Sequence, residues 1–188
     1  MMSVTISKLY SVCSKGRLAD AKLFFTDPTV NAAAWDNMAI RTASRNGHAD
    51  IVRLLLTFPI VDPSSRDNSA IQFAAHNGHV DVVRLLLADP RVDPSSRDNS
   101  AIRFAARNGH VDVVRLLLAD SRVDFSARMF ISIYSASLNG HASVVSSFFA
   151  HRGIELPAEQ CRAENWGSRE GGMRGAMFLL LDSRPSTM

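Results

Sequence analysis

Little in this chain of 188 residues points to chemistry. It has two cysteines, Cys13 and Cys161, far apart and without a CxxC neighbour, which argues against a disulfide framework and offers no zinc or thiol-redox motif. A reducing interior such as the cytosol is the expected compartment. No charge sign predominates: 21 Lys and Arg stand against 18 Asp and Glu, a net charge of +3, so the total demands neither nucleic acid nor a membrane surface as partner. Long apolar runs are lacking too. The N-terminal MMSVTISKLYSVCSKGRLAD breaks its apolar residues with Ser, Thr and Lys every few positions, unlike a secretory leader or a membrane span, and an untargeted soluble protein is expected. No GxSxG, P-loop, HExxH or dinucleotide glycine motif occurs, so no enzyme activity and no cofactor are expected.

What is present is repetition. Gly16, Gly47, Gly78, Gly109, Gly140 and Gly171 recur every 31 residues with no insertion or deletion, and such a period marks a stack of structural units. Residues 67–97 return as 98–128 with five changes: Gln72 to Arg103, His76 to Arg107, Pro90 to Ser121, Pro94 to Phe125 and Ser96 to Ala127. Identity fades outwards. The copies are placed at approximately 5–35, 36–66, 67–97, 98–128 and 129–159, the first serving as an N-terminal cap, with 160–188 as a degenerate C-terminal capping copy of one continuous stack.

Each unit reads as two short helices, a sharp turn between them and a loop after. In SAIQFAAHNGH, Ser69 suits an N-cap, Ile71, Ala74 and Ala75 make an apolar stripe at helical spacing, and Gly78 suits the left-handed position that ends a helix. A second helix begins around His79 to Asp81, with the aspartate where the helix dipole favours negative charge, and Pro90 follows its end. Val30, Val61, Val92, Val123 and Ile154 place one β-branched residue in every loop, expected to pin it to the core. Neither helix can bury its stripe alone, so the units must stack into an all-α solenoid of helix-turn-helix repeats.

The small pair Ala74-Ala75, then NGH, then VVRLLL follow the order and spacing AAxxGHxxVVxLLL, and on these residues the whole chain resembles the ankyrin repeat. Ser-Ala-Ile-Gln stands where that family usually has Thr-Pro-Leu-His, and the unit is 31 residues rather than about 33. The two missing residues fall in the loop, so a shorter, irregular turn is expected in place of the family's β-hairpin finger. The resemblance implies a protein-binding module or scaffold.

His48, His79, His110 and His141 also repeat in register. Helices of adjacent units pack about 8–10 Å apart, whereas two nitrogens on one zinc lie within roughly 3.5 Å of each other, so the ladder cannot share a metal. These histidines are expected to hydrogen-bond helix ends and brace neighbouring units, the part that the resemblance assigns them. Cys13 aligns with Ser44, Ala75 and Ala106, a small packing slot rather than a nucleophile's position. Asn46, Asn77, Asn108 and Asn139 read as turn formers, and Phe73, Phe104 and Trp166 as core.

Partner-binding residues are sought where near-identical copies differ on an exposed face. Arg41, Gln72, Arg103 and Tyr134 form one column on helix one, and Arg45, His76, Arg107 and Leu138 a second, one turn onward. The resemblance places that face on a concave groove, flanked by a loop column of Trp35, Arg66, Arg97 and Arg128. Arginine and tryptophan often anchor interfaces. The stripe therefore suits another protein with an acidic surface, bound by a monomer. Nucleic acid is the alternative, favoured by a sequence pI near 9.2 and opposed by Asp62, Asp67, Asp93, Asp98 and Asp124 beside the arginines. A degenerate fragment of a longer array is a third reading.

Overall fold

A computed structural model describes residues 2–123 and 129–151. They form ten helices and, among the described residues, no strand: α1 (Met2–Lys15), α2 (Leu18–Phe25), α3 (Ala34–Arg45), α4 (Ala49–Leu56), α5 (Ser65–His76), α6 (Val80–Leu87), α7 (Ser96–Arg107), α8 (Val111–Leu118), α9 (Met129–Leu138) and α10 (Ala142–His151). The odd-numbered helices pack in one row and the even-numbered in another, each pair lying against the next. This is the all-α solenoid expected of the repeat. Ile154, Cys161, Trp166 and the capping copy at 160–188 lie outside the described residues.

Helices of only eight residues, such as α4, α6 and α8, are marginal alone in water, so packing must hold them. Val82, Val83 and Leu86 of α6 and Val113, Val114 and Leu117 of α8 have no solvent exposure, and burying each contributes about 1.5–3 kcal/mol. The odd-numbered row is built from small residues: Ala39, Ala43, Ala70, Ala74, Ala75, Ala105, Ala106 and Ala136 are fully buried, which lets neighbouring backbones approach closely. Val61, Val92 and Val123 are buried in the core as the loop pins, whereas Val30, expected to do the same, is only half-buried and stands outside the core cluster.

The turn between helices is a Schellman motif. Gly78 has φ +75°, its N–H bonds the Ala75 carbonyl, and the His79 N–H bonds the Ala74 carbonyl at 2.9 Å. A β-carbon on Gly78 would lie 2.5 Å from Nδ1 of His110, one repeat ahead; Gly16, Gly47 and Gly109 face His48, His79 and His141 in the same way. Each ring then uses Nε2 to donate to a carbonyl of the preceding repeat: His48 to Ser14 (2.8 Å), His79 to Arg45 (3.0 Å), His110 to His76 (2.9 Å) and His141 to Arg107 (3.1 Å). The glycine makes room for the ring, and the ring closes the end of the previous helix.

The largest departure from expectation lies at a kink near the start of α3, α5 and α7, where each loop runs into the helix. Arg66, Asp67 and Asn68 lie consecutively in the left-handed region (φ 54°, 56° and 61°), as do Trp35 to Asn37 and Arg97 to Asn99. Left-handed backbone costs roughly 1–2 kcal/mol per non-glycine residue, and partners in the next loop offset it. The Asn37 and Asn68 carboxamide oxygens accept the N–H of Asp62 and Asp93, both at 2.8 Å, while the Ser65 and Ser96 hydroxyls donate to the Asp36 and Asp67 carbonyls, both at 3.0 Å. This turn is the short substitute for a hairpin finger. It also displaces the expected cap, since the Ser69 hydroxyl donates back to the Ser65 carbonyl at 3.3 Å instead of capping a helix.

At the far ends of the even-numbered helices, Arg91 grips Asp89 and donates Nη1 to the Val61 carbonyl at 2.8 Å, and Arg122 grips Asp120 and reaches the Val92 and Leu87 carbonyls. The guanidinium hydrogen bonds hold the Asp89 and Asp120 carboxyls below the usual carboxylate range.

Two outcomes are expected of equilibrium urea unfolding. The Ser44 hydroxyl is buried without a hydrogen-bond partner in the slot where Ala75 and Ala106 are equally buried, so Ser44→Ala should stabilise by about 1 kcal/mol. Gly78→Ala should destabilise by about 2 kcal/mol or more, and in a His110→Ala background its cost should drop to the roughly 1 kcal/mol of the backbone conformation alone.

Candidate partner-binding face

Every residue of the second column sits in the last turn of its helix, and the backbones of Arg45, His76 and Arg107 are gripped by the following repeat. The Arg45 carbonyl accepts from both His79 Nε2 and Asn77 Nδ2 (2.7 Å), and the His76 carbonyl from both His110 Nε2 and Asn108 Nδ2 (3.0 Å). Asn77 and Asn108 therefore stitch repeats as well as form turns, whereas Asn46 and Asn139 donate to the Thr42 and Ser135 carbonyls of their own helices. The grip of the next repeat presents the exposed side chains of Arg45, His76 and Arg107 from a fixed backbone, which limits the ordering cost of binding, and Leu138 is exposed beside them.

Arg45 lies over the Phe73 ring at 5.3 Å, and His76 meets the Phe104 ring edge-on at 5.7 Å. Phe73 and Phe104 are half-buried on this face and take no part in the core cluster, which corrects their reading as core. The same slot holds Thr42 and Ser135 in the flanking copies, and that tolerance of polar residues was the overlooked signal. Arg45 and Arg107 have no carboxylate within ion-pair distance among the described residues.

The first column has a second task. Arg41 donates Nε to the Asp36 carbonyl (2.9 Å) and Nη2 to the Trp35 carbonyl (3.0 Å), Gln72 donates to the Asp67 carbonyl, and Arg103 reaches the Asp98 carbonyl at 3.4 Å. These side chains brace the left-handed turns. Gln72 is only 9 % exposed, against its placement on an open face, whereas Arg41, Arg103 and Tyr134 are half-buried. Burial, and then the nearby Arg66 charge, lower the affinity of Arg41 for its proton, offset by Asp36.

In the loop column Trp35 is 64 % exposed. Arg66 pairs with Asp36, and Arg97 with Asp67, each at 2.6 Å and each across one repeat. Arg128 lies outside the described residues. Exposed pairs of this kind contribute at most about 1 kcal/mol, but they cancel the charge of this column. Cation density thus concentrates on the helix-one face itself.

No group of three His, Cys, Asp or Glu that could hold a metal ion comes together among the described residues. Cys13 is wholly buried, and burial pushes its thiol up to about 12, far from a reactive thiolate. Among the described residues no helix is long and apolar enough to cross a membrane.

Trp35 combines a left-handed backbone with a mostly exposed side chain that makes no ring contact or hydrogen bond among the described residues. Trp35→Gly should therefore raise stability by about 0.5–1 kcal/mol, measured by urea unfolding, because relief of the left-handed backbone outweighs the loss of a mostly exposed side chain.

A family model for Ankyrin repeats (3 copies) matches residues 9–98, and one for Ankyrin repeat matches residues 97–129. No curated protein matches the chain. Together the matched segments run unbroken over more than half of the sequence, through the copies whose Gly-His stitches and buried alanines are described above, and the chain belongs to the ankyrin-repeat family.

Proposed function

We propose that this chain is a protein-binding module or scaffold that holds a carboxylate-rich partner surface against its helix-one face and adjoining loops. Ankyrin repeats are in general protein–protein interaction modules. The observation that carries the finer reading is that Arg45 and Arg107 are exposed, without a carboxylate partner among the described residues, on a backbone locked by the next repeat. Arg41, Arg103, His76, Tyr134 and Leu138 surround them, and Phe73 and Phe104 supply apolar area between.

A guanidinium already lightly solvated by a ring gains more from a carboxylate than one free in water, because less desolvation remains to be overcome. Nucleic acid is the weaker reading. The Asp36–Arg66 and Asp67–Arg97 pairs place carboxylates beside the loop arginines, where a phosphate backbone would be repelled.

Affinity capture from lysate with the wild type and an Arg45→Glu/Arg107→Glu variant tests the reading. Neither guanidinium hydrogen-bonds another repeat, and the exposed contact of Arg45 with the Phe73 ring is worth only about 0.5–1 kcal/mol, so the variant should stay folded with a melting temperature lowered by a few degrees at most and lose partner affinity by about tenfold or more. Equal capture by both proteins would remove support for this face, and retention on a DNA column that vanishes with salt would favour the alternative.

A further inference from the structure

The helix-one face changes character along the stack. On α3, α5 and α7 its two columns carry Arg41, Arg45, Gln72, His76, Arg103 and Arg107, and on α9 the same two columns carry Tyr134 and Leu138. The sequence of α9, MFISIYSASL, contains no charged residue at all. Of the seven large apolar side chains exposed among the described residues, three lie on this one helix: Phe130 (41 %), Ile131 (44 %) and Leu138 (40 %). Singly exposed apolar residues are ordinary, but a cluster on one helix marks a contact surface. Phe130 and Tyr134 are moreover stacked, with ring centroids 6.3 Å apart and planes within 7°, so that cluster already has a fixed shape.

On α3 and α7 the same face carries cations instead. Arg45 and Arg107 have no carboxylate partner among the described residues. Carboxylates laid on these repeats would meet unpaired guanidinium groups, whereas on α9 they would lose hydration and gain no cation. Apolar side chains have the opposite preference.

We propose, resting on the reading of this face as the partner-binding surface, that its occupant is a single acidic protein segment ending in apolar residues and held in one orientation. Its carboxylates lie over Arg45, Arg103 and Arg107, and its apolar end packs on Phe130, Tyr134 and Leu138. Repeats spaced about 10 Å apart put α3 and α9 roughly 30 Å from each other, which about nine extended residues span. The two halves divide the work. Arginine contacts weaken with salt and speed the encounter, and the apolar contact on α9 is insensitive to salt and selects among acidic segments.

Trp35, at the α3 end of the face, can report the orientation once Trp166→Phe leaves it as the sole tryptophan, since the sequence has two. The probe is a synthetic peptide with a glutamate block at one end and Leu-Phe-Leu at the other, carrying a dansyl acceptor on either end. Energy transfer from Trp35 should be strong with the acceptor on the glutamate end and weak with it on the apolar end, and the same should hold when the blocks are written in reverse chain order. Phe130→Ser/Leu138→Ser should weaken binding about tenfold and abolish this asymmetry, with circular dichroism confirming an unchanged fold. Saturable binding with equal transfer from both ends, or an asymmetry of the opposite sense, overturns the orientation while leaving the face as the binding surface. Failure of the wild type to bind the peptide more tightly than the Arg45→Glu/Arg107→Glu variant overturns both, as does displacement of the peptide by a DNA oligonucleotide of matched charge.

Discussion

The contact between a glycine and the histidine one repeat ahead is the constraint on which the rest of the stack depends. It has room for a ring only because Gly47, Gly78 and Gly109 lack a β-carbon, and the left-handed backbone there also ends the first helix of each unit. The same ring caps a carbonyl at the C-terminus of the preceding helix. Helix termination, inter-unit spacing and carbonyl satisfaction are therefore solved by two residues. Since the contact fixes where one unit sits on the next, ring and glycine recur in the same register in every copy from Gly16 to His141.

The second constraint is local. A loop two residues shorter than the usual unit cannot form a hairpin, and it turns the chain through three left-handed residues instead. Such a turn leaves carbonyls pointing outward. Side chains from the following helix, Arg41, Gln72 and Arg103, and serines from the following loop, Ser65 and Ser96, satisfy them. The positions of helix one nearest the loops thus serve the fold, and those one turn further on are left to serve recognition. A stripe of arginines that looks uniform in sequence divides physically into braces and free cations.

Much of this was readable beforehand because repetition supplies its own comparison. The helix pairs, the glycine turns, the bracing histidines and the valine pins all follow from residues that recur in register and have one sensible local role. Three features did not show. The left-handed turns contain no glycine, and Arg66, Asp67 and Asn68 acquire that conformation through bonds to a neighbouring loop, which local propensity does not encode. Phe73 and Phe104 were assigned to the core by residue type, although Thr42 and Ser135 in the same slot pointed to partial exposure. The grip of Arg91 and Arg122 on preceding carbonyls was invisible because Thr29 and Ile60 fill that position in the outer copies. In each case the missing information was contact between units rather than preference within one.

Among the described residues, the hydrogen bonds that join repeats beyond their shared loop span 25 to 35 residues, and none of them reaches past the adjacent copy. Excision of residues 67–97 would join Arg66 to Asp98 and bring His110 onto the Arg45 carbonyl, where His79 now rests, with Arg122 over Val61 in the place of Arg91. A gene encoding such an array can lengthen or shorten through unequal recombination and still yield an intact product. The extent of the recognition surface is then a heritable variable, adjustable in whole modules without the invention of a single new contact.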